Sequence, residues 1–293
     1  MDDLIFGCNQ EDWERWQREH KEFYDSLDGL RLLPLWDEGA PGYREEFCQH
    51  QPHLALLPPV NGRSRGMALI CPGGGYAMKS VYEGRIVAQK FHDYGYNAAV
   101  LDYRCRPYTT WNALDDAQRA IRLIRSIASE LNVRPDKIAI GGFSAGGHLS
   151  TMAGTQFDLG VNGSPDPVEH FSCRPDAVIQ CYGAISFLGR PAIASEDATR
   201  EELIRMTPQL NVSFQTPPFF LWMTGKDQII PRGPLYEMAD ALEIYDIPYE
   251  LHLFPDGPHG VGLADGTNKF GKADPHTARW NELACEWLYG LGF

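Results

Sequence analysis

The 293-residue sequence predicts an α/β fold, a mostly parallel central sheet with helices on both faces. Three observations carry that expectation. From about residue 66, short β-branched runs alternate with longer stretches of helical periodicity. Strands separated by helices imply βαβ crossovers, which cover a parallel sheet on both sides. Hydrophobic residues make up 43% of the chain, enough to bury such a sheet.

Taken in order, the first fifty residues stand apart as an N-terminal extension to a body at 51–293. Within EDWERWQREHKEFYDSL, Trp13, Trp16, His20, Phe23 and Tyr24 share one helical face. That stripe reads as packing on the body, with a cap over the site or a homodimer contact as the alternative. MALIC (67–71) reads as a buried strand, followed by PGGGY and a helix around GRIVAQKFHDYG. NAAVLDY (97–103) is the next strand. A helix over 114–131 follows, with Leu114, Ala117, Ile121, Ile124 and Leu131 on or near one face. KIAIGG (137–142) then runs into AGGHLSTMAG, which can begin a helix. Further strands are DAVIQCY (176–182), FFLWMTG (219–225) and YELHLF (249–254). A helix over 234–246 separates the last two, and another through TARWNELACEWLYGL closes the chain. Residues 186–215, rich in Pro, Ser and charge, read as a lid insert or a plain surface excursion.

The formal net charge is −13 with no basic face, which argues against a nucleic-acid partner. The acidic start lacks the basic and apolar regions of a signal peptide, and no window approaches about 18 uninterrupted apolar residues. No membrane partner is therefore expected. The seven cysteines are scattered without a CxxC pair, as free thiols in a reducing, cytoplasmic setting would be. Cys48, His50 and His53 lack the fourth ligand of a zinc site, so no metal is expected there.

Residues 138–150, IAIGGFSAGGHLS, hold the chemistry. Gly142-Phe143-Ser144-Ala145-Gly146 fits G-x-S-x-G between a strand and a helix. A serine on so tight a turn is strained, and side chains two residues either side would strike neighbouring backbone. Its hydroxyl needs a base, and the base an orienting acid, in the chain order serine, acid, histidine. Asp227 and His259 each follow a strand, where sheet enzymes gather their active groups. Asp256 is a rival acid, crowded by lying only three residues before His259. His148 reads as a packed, hydrogen-bonded core residue. The Ala145 N–H and the glycine loop Cys71–Tyr76 offer donors for the oxygen that turns negative on attack. Tyr76 and Trp36, near the expected mouth, could stack on a substrate ring or simply pack.

Several blocks occur together: LPLWDEGAPGY (33–43), ICPGGGYAM (70–78), YEGRIVAQKFHDYGYNAAVLDYR (82–104), GFSAGGHLS (142–150), TPPFFLWMTGKDQIIP (216–231) and YELHLFPDGPHGVGLA (249–264). In this the chain resembles α/β-hydrolase esterases, most closely the bacterial carbohydrate-esterase-like group of acetyl, acetylxylan and feruloyl esterases. The resemblance implies an α/β-hydrolase fold, with Ser144 as nucleophile, Asp227 as acid and His259 as base. It implies Gly74, Gly75 and Ala145 as oxyanion donors, and no cofactor. Pro72 replaces the first histidine of the related hormone-sensitive-lipase motif, and Arg104-Cys105-Arg106-Pro107 also departs from that pattern, which weakens a lipase assignment. The activity implied is hydrolysis of short acyl esters, acetyl groups on sugars or oligosaccharides among them. A prolyl-oligopeptidase-type peptidase and a non-catalytic small-molecule receptor are the alternatives. The first would need a propeller domain for which this length has no room, and the second commonly lacks a triad member.

Overall fold

The runs MALIC, NAAVLD, IAIGGF, AVIQC and FFLWMT are buried along their whole length, as strands covered on both faces must be. In the computed structural model, which describes residues 18, 20–47, 49–62, 66–186 and 199–293, they are the centre of an eight-stranded sheet. The strands are β1 (Arg31–Pro34), β2 (His53–Leu56), β3 (Met67–Cys71), β4 (Asn97–Asp102), β5 (Ile138–Phe143), β6 (Ala177–Cys181), β7 (Phe219–Thr224) and β8 (Tyr249–Phe254). Their order is β1-β2-β4-β3-β5-β6-β7-β8. From β4 to β8 every pairing is parallel, while β1–β2 and β2–β4 are antiparallel.

The strands β1 and β2 were not anticipated. Each is only four residues long, and prolines stand at Pro34, Pro52 and Pro58, so the period-2 signal had no room to develop.

After a helical stretch over residues 20–26 come α1 (Arg85–Asp93), α2 (Thr110–Ser126), α3 (Ala145–Thr155), α4 (Arg200–Arg205), α5 (Gly233–Ile244) and α6 (Trp280–Gly290). Helices α1 and α6 pack together, with Phe91 and Trp280 rings 6.5 Å apart, while α2 packs on α3. Helix α2 begins one turn earlier than its apolar stripe suggests, where Asn112 Oδ1 accepts the Thr109 N–H at 3.1 Å. It ends at Ser126, and Leu131 is buried in the turns that follow. No described helix is long and apolar enough to cross a membrane.

Of the aromatic stripe, His20 and Phe23 are buried and Tyr24 packs beside them; Trp13 and Trp16 lie outside the described residues. Of the insert at 186–215, residues 187–198 also lie outside. Its later part packs on the body, with Arg205 over the Trp111 ring at 4.4 Å. The described cysteines, Cys71, Cys105, Cys173, Cys181 and Cys285, are buried and joined in no disulfide among the described residues. Cys8 and Cys48 lie outside the described residues.

The register Cys71↔Gly142, Phe143↔Cys181 and Thr224↔Phe254 brings the carboxyl ends of β3, β5, β6, β7 and β8 level at one edge of the sheet. The loops leaving that edge carry Gly73, Gly74, Gly75, Ser144, Asp227 and His259.

Candidate active site

Ser144 joins β5 to α3 with φ 51° and ψ −114°. A side-chain-bearing residue held there costs on the order of 1–3 kcal/mol. The glycines explain how the chain tolerates it. A Cβ on Gly146 would lie 2.0 Å from the Cys71 carbonyl oxygen, and one on Gly142 would lie 2.1 Å from the Gly146 carbonyl oxygen. Neither obstacle is a side chain that could swing aside. The Ser144 N–H donates to the Cys181 carbonyl at 3.0 Å, fixing the turn to the neighbouring strand.

Asp227 follows β7 at a turn. One carboxylate oxygen accepts the amides of Ile229 and Ile230 at 2.8 and 2.9 Å, and the other faces His259 Nδ1 at 2.7 Å. The side chain is fully shielded from solvent. Burial alone would raise its pKa. The hydrogen bonds from His259 and the two amides outweigh burial and hold the carboxyl below its ordinary range. It is therefore an anion at neutral pH, fixed in orientation.

His259 sits in the loop after β8, between Gly257 and Gly260, whose φ values of 107° and 82° shape the turn. Its Nε2 lies 2.8 Å from Ser144 Oγ, and the Tyr182 ring packs edge-on at 5.2 Å. With Asp227 accepting the Nδ1 proton, Nε2 is left as the basic nitrogen toward the serine. Asp256 turns outward to pair with Lys226, both exposed.

Gly74 and Gly75 also adopt positive φ, 134° and 65°. A Cβ on Gly74 would lie 2.1 Å from the Met78 carbonyl oxygen, so only glycine fits. Both line a cavity of about 680 Å³ shared with Ser144 and His259, and Ala145 is the first residue of α3, its amide at the helix N-terminus. Met78, Tyr82 and Lys269 add to the cavity wall, as does Glu22 from the N-terminal segment. A groove of about 520 Å³ continues past His259 along Lys226, Gln228 and Phe270.

Two expectations are corrected. Tyr76 is not at the mouth: it is 4% exposed, and its hydroxyl bonds His148 Nδ1 at 2.7 Å. Trp36 lies between the guanidiniums of Arg104 and Arg119, 5.7 and 5.5 Å from its ring centre. Both rings do structural work. His148 is the buried, bonded residue expected, its Nε2 donating to the Met206 carbonyl at 2.8 Å. Burial pushes its pKa down to about 4, so the ring is neutral. His53 Nδ1 bonds the Gln51 carbonyl and the His50 ring lies tilted against Tyr24 at 4.2 Å; among the described residues no cluster of three or more His, Cys, Asp or Glu could hold a metal.

Sequence reasoning missed Glu83 and Tyr182, which lie directly behind these loops. Glu83 occupies a single turn of 3-10 helix after the glycine loop, and Tyr182 follows β6 with φ 38°. A buried acid leaves no periodic trace. The available signal was a glutamate directly before Gly84 in a stretch otherwise heading into a helix.

Residues 55–242 match the family model BD-FAE. The chain is 33% identical over 270 residues to endo-1,4-beta-xylanase B of Butyrivibrio fibrisolvens, covering 86% of this chain and 42% of that protein. It is 27% identical over 224 residues to an acetylxylan esterase of Xylanibacter ruminicola, covering 72% of this chain and 44% of the other. The chain thus spans less than half the length of these relatives. Among solved structures, an acetyl ester-xyloside bifunctional hydrolase from Caldicellulosiruptor lactoaceticus superposes with a TM-score of 0.84 at 35% identity, covering 90% of this chain and 97% of that one.

Proposed function

This chain belongs to the BD-FAE family and has the α/β-hydrolase fold, and from that premise we propose that it is a serine carboxylic-ester hydrolase acting on short acyl esters of carbohydrates, acetyl esters foremost. The observation that carries this reading is the unbroken relay Asp227 Oδ2–His259 Nδ1 at 2.7 Å and His259 Nε2–Ser144 Oγ at 2.8 Å.

In this reading His259 takes the Ser144 proton as Oγ attacks the ester carbonyl, and the anionic Asp227 stabilises the imidazolium that forms. The amides of Gly74, Gly75 and Ala145 receive the oxyanion. His259 then returns the proton to the departing alcohol, leaving an acyl-serine and a free hydroxyl compound. Water, deprotonated by the same histidine, attacks the acyl carbonyl; the carboxylic acid leaves as His259 returns that proton to Ser144 Oγ. Every proton moved is held at a named nitrogen or oxygen, and the chemistry calls for no redox step.

The substrate class rests on two supports. The names of the similar proteins join ester cleavage to xylan and xylosides. The cavity around Ser144 carries the exposed or half-exposed polar residues Glu22, Ser80, Thr267 and Lys269 beside its apolar wall, unlike the dry tunnel that a long acyl chain needs.

The test is a panel of nitrophenyl esters from acetate to octanoate beside acetylated xylo-oligosaccharides. The expected result is kcat/KM falling beyond about four carbons, since a short pocket gains nothing from added methylenes, together with acetate release from the oligosaccharides. Faster cleavage of octanoate than of acetate would contradict the short-acyl reading.

A further inference from the structure

Glu83 is 1% exposed, and among the described residues no salt bridge reaches it. A carboxylate in such a place is costly unless its oxygens are fully used. They are used by two different loops. One oxygen accepts the Gly73 N–H at 3.0 Å, and the other accepts the Tyr182 hydroxyl at 2.7 Å. The Tyr182 oxygen in turn accepts the Gly262 N–H at 2.8 Å. Gly73 immediately precedes Gly74 and Gly75, and Gly262 lies three residues beyond His259.

We infer that Glu83, acting through Tyr182, is a positioning residue that holds the glycine loop and the histidine loop at a fixed separation around Ser144. The inference rests on the esterase reading above and extends it to the groups behind the reacting atoms. Three structural details support it. The approach is close: a Cβ on Gly73 would lie 2.5 Å from the Glu83 carboxylate and 3.1 Å from Ser144 Cβ, so loop, acid and serine are packed with no slack. Gly262 has φ 56°, and a Cβ there would lie 3.1 Å from the Tyr82 carbonyl oxygen, so the far end of the chain of bonds is equally tight. The Tyr182 ring packs on His259 at 5.2 Å, which couples the same side chain to the imidazole face.

The residue type follows from the donors. Gly73 and Tyr182 both donate, so the side chain between them must accept at both ends, and only a carboxylate of glutamate length does so. Glutamine keeps the shape but presents an NH2 to one of the two donors. Breaking either arm frees one loop relative to the other. Misalignment of this kind is felt in the transition state more than in substrate binding, and displacements of about 1 Å can cost about 10²-fold.

The experiment uses the full chain, with Glu83→Gln, Tyr182→Phe and the double variant assayed on nitrophenyl acetate, each checked for folding by thermal unfolding. The expected result for Glu83→Gln is a fall in kcat of about 10- to 100-fold with KM changed less than about threefold. Tyr182→Phe should show the same split, and the double variant should lose no more than Glu83→Gln alone, because both break one chain of bonds. A folded Glu83→Gln with kcat within twofold of wild type, or losses that multiply in the double variant, would overturn the inference. Should Glu83→Gln fail to fold, Tyr182→Phe decides: a several-fold loss in kcat at constant KM supports the link, and unchanged kcat overturns it. A wild-type protein no faster than Ser144→Ala would instead overturn the esterase reading, and this inference with it.

Discussion

Asp227 Oδ2 lies 2.7 Å from His259 Nδ1 although 32 residues of chain separate them. Asp256, far nearer in sequence, pairs with Lys226 at the surface. Spatial order set by β7 and β8 therefore decides which carboxylate orients the imidazole. Asp227→Asn should keep the fold and lower kcat steeply, by about 10⁴-fold on the precedent of serine proteases. Asp256→Asn should change kcat by less than about threefold. Steady-state kinetics on one ester compares the two, and the opposite ranking would reassign the acid.

Backbone crowding around Gly146 gives a second expectation. An alanine there would place its Cβ 2.0 Å from the Cys71 carbonyl oxygen, which only movement of β3 or α3 relieves. Gly146→Ala should lose more than about 3 kcal/mol or fail to accumulate folded, since overpacking of rigid backbone is among the costliest changes. Gly290→Ala, where a Cβ meets nothing within 4 Å, should stay within about 1 kcal/mol of wild type. Urea unfolding of the pair checks this.

Stability should also depend on pH through His148. Burial lowers its folded pKa to about 4, against roughly 6.5 in the unfolded chain. Below pH 6.5 the unfolded state takes up a proton that the folded state does not, so stability falls as pH drops from 6.5 toward 4. At pH 5 the loss relative to pH 7 is about 2 kcal/mol. His148→Gln does not titrate, so the stability gap between wild type and variant should narrow by about that amount between pH 7 and pH 5. A gap independent of pH would show that the ring is already charged or solvated.

The Arg104–Asp116 pair, which does not line the Ser144 cavity, supplies a structural control. The guanidinium meets both carboxylate oxygens, Nη2 to Oδ1 at 2.7 Å and Nε to Oδ2 at 3.1 Å, with side chains 1% and 0% exposed. Arg104 also bonds the Pro41 carbonyl and lies over Trp36 and Tyr108. Asp116→Asn leaves a buried cation half paired and should cost about 3–5 kcal/mol. In denaturant titrations the midpoint should move well below that of wild type, while kcat of the folded fraction is retained.

The parallel strands were legible because burial on both faces writes continuous apolar runs such as FFLWMT, and the glycine string around Ser144 because its spacing is forced by backbone contacts at 2.0–2.1 Å. Asp227 could be placed because it follows such a strand, and His259 because it follows the alternating run YELHLF. What the sequence hid depends on packing between distant segments. Strand β1 is a short edge strand and β2 its equally short neighbour, both set among prolines, Tyr76 turns inward to His148 because a buried imidazole needs a partner, and Glu83 meets Tyr182 across 99 residues. None of these pairings leaves a local mark.

Ser144 is the proposed nucleophile of an ester hydrolase. The most direct test of that role is intact-protein and peptide mass spectrometry after treatment with an organophosphate, alongside nitrophenyl acetate hydrolysis, for wild type and Ser144→Ala. One adduct on the peptide carrying Ser144, with loss of both labelling and turnover in the variant, is the predicted result. Labelling at another residue, or undiminished hydrolysis by Ser144→Ala, would contradict it.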